Sequence, residues 1–204
     1  MYAALAPCYD TKWKTYVAAS VCETLKRVCV HPGDRVLDVG CGTGELLKAI
    51  SLAVPKARLA GVDMSPEMLA IAHAKSRDDL DLREGRAEAL PFENEVCDMV
   101  VSSSAFHFFW RPTAALAEMR RVLRPSGGIV ITDWCSDYPA CFLYDLFLRL
   151  FSPAHFRTYS SKKFQQLIDA VKFSEVTVKR YKIDRGWGMM TATAKKNAHN
   201  TVHP

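Results

Sequence analysis

Residues 36–45 read Val36-Leu37-Asp38-Val39-Gly40-Cys41-Gly42-Thr43-Gly44-Glu45. Residues 35–39 form a short apolar run of strand character, and three alternating glycines then deliver the chain into a helix expected over 45–52. Lacking a Cβ, Gly40 and Gly42 can turn sharply and let the backbone approach a ligand closely. Strand, glycine turn and helix in that order open a βαβ unit. In open α/β sheets ligands sit beyond the carboxyl ends of the strands, where the strand order reverses, so this loop is the first place to look for function.

The pattern outside this stretch is consistent with it. Upstream, Val17, Val21, Leu25 and Val28 fall near helical spacing within 12–30, and His31-Pro32-Gly33-Asp34 ends that helix. Downstream, 58–62 is a second strand and Ser65-Pro66-Glu67 opens a helix, with Ser65 as N-cap, Pro66 at the first helical position and Glu67 at the positive end of the helix dipole. Short strands follow at 81–84 and 97–102, then a helix over 113–123 stopped by Pro125-Ser126-Gly127-Gly128, and a fifth strand at 129–133. Two last strand-like runs, 174–183 and 187–194, are joined by Asp184-Arg185-Gly186, short enough for an antiparallel hairpin. The expected fold is α/β: a Rossmann-like, doubly wound, mostly parallel seven-stranded sheet with a C-terminal antiparallel hairpin.

With 204 residues, 49% hydrophobic, the chain suits a single domain over 1–196. It divides into an N-terminal helical lid (1–33), a donor-binding core (34–135), a helical acceptor-side segment (136–172) and the hairpin (173–196), followed by a loose tail at 197–204. The formal net charge of +5 is spread without a contiguous basic stripe, which argues against a nucleic-acid partner. Seven cysteines (8, 22, 29, 41, 97, 135, 141) make no Cys-x-x-Cys pair, so buried free thiols in a reducing compartment are expected, with neither a disulfide frame nor a metal site. No signal-peptide pattern and no run of membrane-spanning length is present, so the expected location is cytoplasmic, or an organelle stroma or matrix.

Two ligand classes compete for the glycine loop. A dinucleotide fingerprint, Gly-x-Gly-x-x-Gly, requires glycine at 45, where this chain has Glu45. A carboxylate there would repel a pyrophosphate seated on the helix N-terminus, and Asp38 adds a second negative charge. S-adenosylmethionine carries an ammonium and a sulfonium and no phosphate, so an acidic, glycine-lined cleft complements it. Asp63, one βαβ step further on, stands where an acid chelates ribose hydroxyls, with Met64 beside it to pack on adenine.

These residues resemble the class I S-adenosylmethionine-dependent methyltransferases, in particular the group that includes the ubiquinone/menaquinone C-methyltransferases. The resemblance covers 34–135 and has four parts in order: 36–44, then Gly61-Val62-Asp63-Met64-Ser65-Pro66-Glu67-Met68-Leu69, then Gly85-Arg86-Ala87-Glu88-Ala89-Leu90-Pro91-Phe92 followed by 97–102, and finally 118–128. It implies that Asp38, Gly40, Cys41 and Gly42 line the methionine part of the donor. By the same resemblance Asp63 and Met64 hold the adenosine, the Ala87 N–H meets the adenine ring, Ser103 lies near the sulfonium, and Tyr9, in a Tyr-Asp element, folds over the donor. The product would be S-adenosyl-L-homocysteine. Two positions depart from the pattern: many relatives carry Asp at the place of Arg86, and Arg111 stands where relatives have an acid.

His107 follows the fourth strand and is the candidate general base for an acceptor that must lose a proton. Phe106, Phe108, Phe109 and Trp110 surround it; Trp134 and Tyr138 follow the fifth strand, and Phe142, Tyr144, Phe147, Phe151 and Phe156 fill the next segment. About half of that last group is expected in a core or lid helix and the rest against a small hydrophobic or aromatic acceptor. Faces of Trp or Phe would also stabilise a sulfonium. The chain is expected to act as a monomer or homodimer on a small molecule. The rival expectations are a methyltransferase for tRNA or protein, and a catalytically silent S-adenosylmethionine-binding protein.

Overall fold

The computed structural model describes residues 13–75, 79–151, 157–184 and 186–198. Strand β1 (Arg35–Val39) is buried from Val36 onward, with Asp38 as buried as its apolar neighbours, because it lies mid-sheet with both faces covered. It pairs in parallel with β2 (Arg58–Asp63), which pairs in parallel with β3 (Asp81–Glu84). On its other side lies β4 (Cys97–Ser103), itself parallel to β5 (Leu123–Trp134). The hairpin β6 (Phe173–Lys182) and β7 (Gly188–Lys196) completes the sheet, with β7 antiparallel to both neighbours. The order is β3-β2-β1-β4-β5-β7-β6, so the winding reverses between β1 and β4. This is the doubly wound sheet that the strand and helix alternation predicts.

Helices α1 (Lys14–Leu25), α2 (Glu45–Ala53) and α3 (Pro66–Lys75) serve one face, where Leu46, Leu47, Ile50 and Leu69 pack on Val36, Leu59 and Val130. Helix α4 (Pro112–Val122) and, after α5 (Pro139–Phe151), helix α6 (Ser161–Ala170) serve the other, where Leu116, Met119, Phe164 and Ile168 join the core. Ser65 caps α3 as expected, its hydroxyl accepting from the Met68 amide at 3.3 Å. No helix among the described residues is long and apolar enough to cross a membrane.

Two local expectations differ from what is found. The Pro125–Gly128 turn does not separate α4 from its strand: β5 begins at Leu123, opposite Cys97, and resumes at Gly128 opposite Met99. The residues between form a bulge in which Ser126 takes φ 65, so the turn chemistry is used inside the strand instead of before it. On α1 the fully buried residues are the polar Ser20 and Thr24, while Val21 and Leu25 pack only partly against the core. The reason is a line of buried hydroxyls. Thr24 hydrogen-bonds Thr132 of β5 at 2.8 Å, Thr132 hydrogen-bonds Thr191 of β7 at 2.9 Å, and Thr191 hydrogen-bonds Tyr181 of β6 at 2.8 Å.

Thr132→Val keeps the shape but removes two hydrogen bonds, leaving Thr24 with Ser20 O and Thr191 with Tyr181, so urea denaturation is expected to show a loss of about 1–3 kcal/mol, about 0.5–1.5 for each bond. An unchanged midpoint would mean that packing alone holds α1.

Candidate active site

Beyond the carboxyl ends of β1, β2 and β4 lies a cavity whose floor is the glycine loop. Gly40, Gly42 and Gly44 all adopt positive φ, at 77°, 53° and 81°. The Gly40 and Cys41 amides donate to Val62 O at 2.7 and 3.0 Å, which ties the loop to the end of β2. A Cβ on Gly40 would lie 2.5 Å from the Ala105 Cβ, so the glycine there serves the approach of the loop to the β4 exit. A Cβ on Gly42 would meet nothing within 4 Å.

Asp38 and Asp63 meet at this loop. Asp38 is 2% exposed and its Oδ1 has no hydrogen-bond partner. Burial, then the nearby Asp63 charge, push its carboxyl up to about 8. Asp63 is raised by burial too, but the amides of Ser65, Gly42 and Met64 oppose the rise. Its Oδ2 accepts from the Gly42 amide at 2.8 Å and its Oδ1 from the Ser65 amide at 2.9 Å. Asp63 therefore joins two loops, and with about four acceptor positions on its two oxygens it keeps capacity for a further donor. The Cys41 thiol is held protonated by burial and by both acids. Glu45 also borders the cavity, but it pairs with Lys75 at 2.8 Å, so the acidic character of the cavity rests on the two aspartates.

The far wall is Gly85, Ala87 and Glu88, with Met64, 63% exposed, at the rim. Arg86 is exposed, and its Nε lies 3.4 Å from Glu88 Oε2. The near wall is Ser103, Ser104, Phe108 and Phe109, covered by Val17 and Val21 of α1. Ser104 has φ 59, a strained value for a residue with a side chain. The Ser20 hydroxyl bonds Ser103 at 2.6 Å and Ser104 at 2.8 Å, and Tyr16 donates to Ser104 at 2.7 Å. Thus the α1 hydroxyls hold the β4 exit loop against the cavity.

Asp38, Gly40, Cys41, Gly42, Asp63, Met64, Ala87 and Ser103, nominated from sequence, all line this one cavity. Tyr9 lies outside the described residues, as does Phe156. His107 is not among the lining residues: it is 3% exposed, its Nδ1 lies 2.7 Å from Asp133 Oδ1, its amide donates to Asp133 Oδ2 at 2.7 Å, and its ring stacks on Trp134. Its loop scatters the expected aromatic cluster. Phe106 is core, Phe108 and Phe109 reach the cavity, and Trp110 is 64% exposed. Behind His107, the rings of Tyr16, Trp134, Tyr144 and Trp187 meet edge to face or tilted. Sequence reasoning missed Asp133, Glu88, Ser104, Tyr16 and Trp187. An acid ending a strand beside the cleft would have flagged Asp133; Trp187, brought in by the hairpin, had no local signal.

The glycine loop at the reversal of this α/β sheet lies in the crevice where open α/β sheets hold their ligands, and its two aspartates make that crevice acidic. Residues 37–131 match the profile of a family described as the methyltransferase domain. The demethylmenaquinone methyltransferase of Deinococcus radiodurans is 32% identical over 165 residues, 74% of this chain and 65% of that relative. This chain spans less than two thirds of the length of the curated relatives it matches. A chain in the complex of the Haloferax volcanii Trm112 methyltransferase activator with a methyltransferase superposes with a TM-score of 0.84 at 22% identity, covering 97% of this chain and 98% of that one. Phosphoethanolamine N-methyltransferase 2 of Haemonchus contortus, solved with S-adenosyl-L-methionine, has a TM-score of 0.73 at 16% identity, over 87% of this chain and 52% of that one. Residues 37–131 thus carry a methyltransferase domain of that family.

Because the Gly40 backbone is left-handed and its missing Cβ faces Ala105, Gly40→Ala is expected to cost about 1–3 kcal/mol in chemical denaturation. A variant as stable as the wild type would contradict the described loop.

Proposed function

We propose that this chain binds S-adenosyl-L-methionine in the cavity and passes its methyl group to a small, hydrophobic or aromatic acceptor. The observation that carries the reading is the unpartnered Asp38 oxygen, buried beside a second acid in a cavity lined by left-handed glycines. A buried carboxylate without a partner is costly, and a cationic ligand offsets that cost. Phosphate would be repelled by the same pair. Asp38 attracts the ammonium and sulfonium end, Asp63 offers its remaining acceptor capacity to the ribose hydroxyls, and the Ala87 amide faces the adenine. Cys41 stays a neutral thiol against the donor.

When bound, the donor supplies a methyl on a positively charged sulfur, displaced in line by a nucleophile of the acceptor to leave neutral S-adenosyl-L-homocysteine. The chain's part is orientation and exclusion of water. The Ser103-Ser104 loop, clamped by Tyr16 and Ser20, fixes the edge of the cavity where the acceptor arrives, and Phe108 gives that edge an apolar face. His107, locked to Asp133 and stacked on Trp134, positions this loop. An acidic carbon or thiol as acceptor fits a wall where Ser103, Ser104, Phe108 and Phe109, among the described residues, bring no base. The apolar character of this side, together with relatives named demethylmenaquinone methyltransferases, supports a small hydrophobic acceptor over RNA or protein.

Asp38 gives a pH signature. Its carboxyl is raised when folded, so the ligand-free fold holds a proton that the unfolded chain releases, and its contribution to stability falls as pH rises from about 4 to about 8. A cationic ligand favours the ionised form and expels that proton. Donor affinity is therefore expected to rise with pH below 8, by at most about tenfold per unit. Asp38→Asn should flatten the rise; calorimetry at several pH values that finds the same slope in both proteins would remove Asp38 from the site. Asp63→Ala is expected to weaken donor binding by about 1–3 kcal/mol, the cost of a lost charge-assisted hydrogen bond. Unchanged affinity in that variant would contradict the ribose assignment.

A further inference from the structure

Helix α5 is built inside out. Of the large hydrophobic residues exposed among those described, six lie on these thirteen positions: Phe142, Leu143, Leu146, Phe147, Leu150 and Phe151, each 47% to 70% exposed. At about 100° per residue they share the face opposite Cys141 and Asp145. Those two are the buried ones: Cys141 packs at Gly188, and Asp145 accepts the Thr158 amide at 2.6 Å. A helix on a protein surface ordinarily turns its apolar stripe inward. Here the acid faces in and the hydrocarbon faces out, in a patch of the kind that marks an interaction surface.

The charges around it choose the occupant. Between Pro139 and Lys163 the sequence has one acid, the buried Asp145, against Arg149, Arg157, Lys162 and Lys163. Lys162, Lys163 and Arg157 are exposed, and Lys182 of the hairpin reaches over the Tyr138 ring just before α5. A short apolar helix face flanked by cations, with the nearby acids Asp137 and Asp184 already engaged by Ser161 and Arg180 and by the Gly186 and Trp187 amides, matches a layer of hydrocarbon beneath anionic headgroups. We infer that α5 is a docking helix that lies in the surface of an anionic phospholipid bilayer, with Leu143 and Leu150 dipping into the acyl boundary. At thirteen residues, about 20 Å, it lies on the bilayer and does not cross it. Its Tyr144 touches Trp134 and Trp187, so docking would bring the aromatic edge behind His107 close to the lipid. Delivery of an acceptor by this route rests on the proposed methyl transfer; the docking itself does not.

Vesicle flotation tests it without donor or acceptor, using phosphatidylcholine vesicles with and without about one third phosphatidylglycerol. The wild type is expected to float with the anionic vesicles, and about tenfold less with the neutral ones. Leu143→Glu/Leu150→Glu, at two exposed sites, should lose binding by about tenfold or more with its melting temperature unchanged. Lys162→Glu/Lys163→Glu should abolish the preference for anionic lipid while keeping the fold. Failure of the wild type to float, or equal flotation of the leucine variant, would overturn the inference. So would a concentration-dependent dimer that takes up no vesicles and is split by the leucine variant, since the face would then belong to a second copy. Donor calorimetry on the same proteins keeps a failed docking helix distinct from a failed donor site.

Discussion

One oxygen of Asp38 has no partner, and Asp63 stands close enough to raise the cost of ionising it. β1 is covered on both faces, so its one fully buried polar side chain can look for a partner in one direction, past its own carboxyl end into the cavity. The glycine loop exists to keep that direction open: left-handed backbone at 40, 42 and 44 moves the chain aside without placing a side chain over the acid. Asp63 then pins the loop through the Gly42 amide, and the two strand ends become one rigid edge. A protein that buries an unpaired carboxylate sacrifices stability at that point, and a cation is the ligand that restores it.

The N-terminal helix is subordinate to the same edge. Its two buried residues are hydroxyls, and they reach β5 and the β4 exit loop, where Ser104 is held in a strained conformation. Val17 and Val21 on the same helix cover the cavity, so the lid and the wall are fastened by one set of hydrogen bonds. His107 and Asp133 anchor the opposite flank in the same manner, from behind the wall instead of on it.

The parallel strands and the hairpin were legible because apolar runs and turn residues alternate at the lengths such sheets require. The residues that line the cavity were legible too: it forms where strands end, and ends of strands can be read locally. What escaped depends on contacts distant in sequence. Ser20 and Thr24 look like the solvent side of α1 until β5 brings Thr132 to them. Glu45 looks like a lone repelling charge until α3 supplies Lys75. The aromatic residues of α5 read as core or acceptor wall because composition does not tell which face of a helix turns inward; only the buried Asp145 reveals it. Pro125 to Gly128 read as a stop because a bulge and a turn use the same residues.

The account stands or falls on the charge of the pocket's preferred ligand. Titration calorimetry of the whole chain with S-adenosyl-L-homocysteine, S-adenosyl-L-methionine and NAD in parallel addresses this directly. Saturable binding of the two sulfur nucleosides, with no detectable heat from NAD, is the predicted result. Binding of NAD at the glycine loop, or indifference to both sulfur nucleosides, would contradict it.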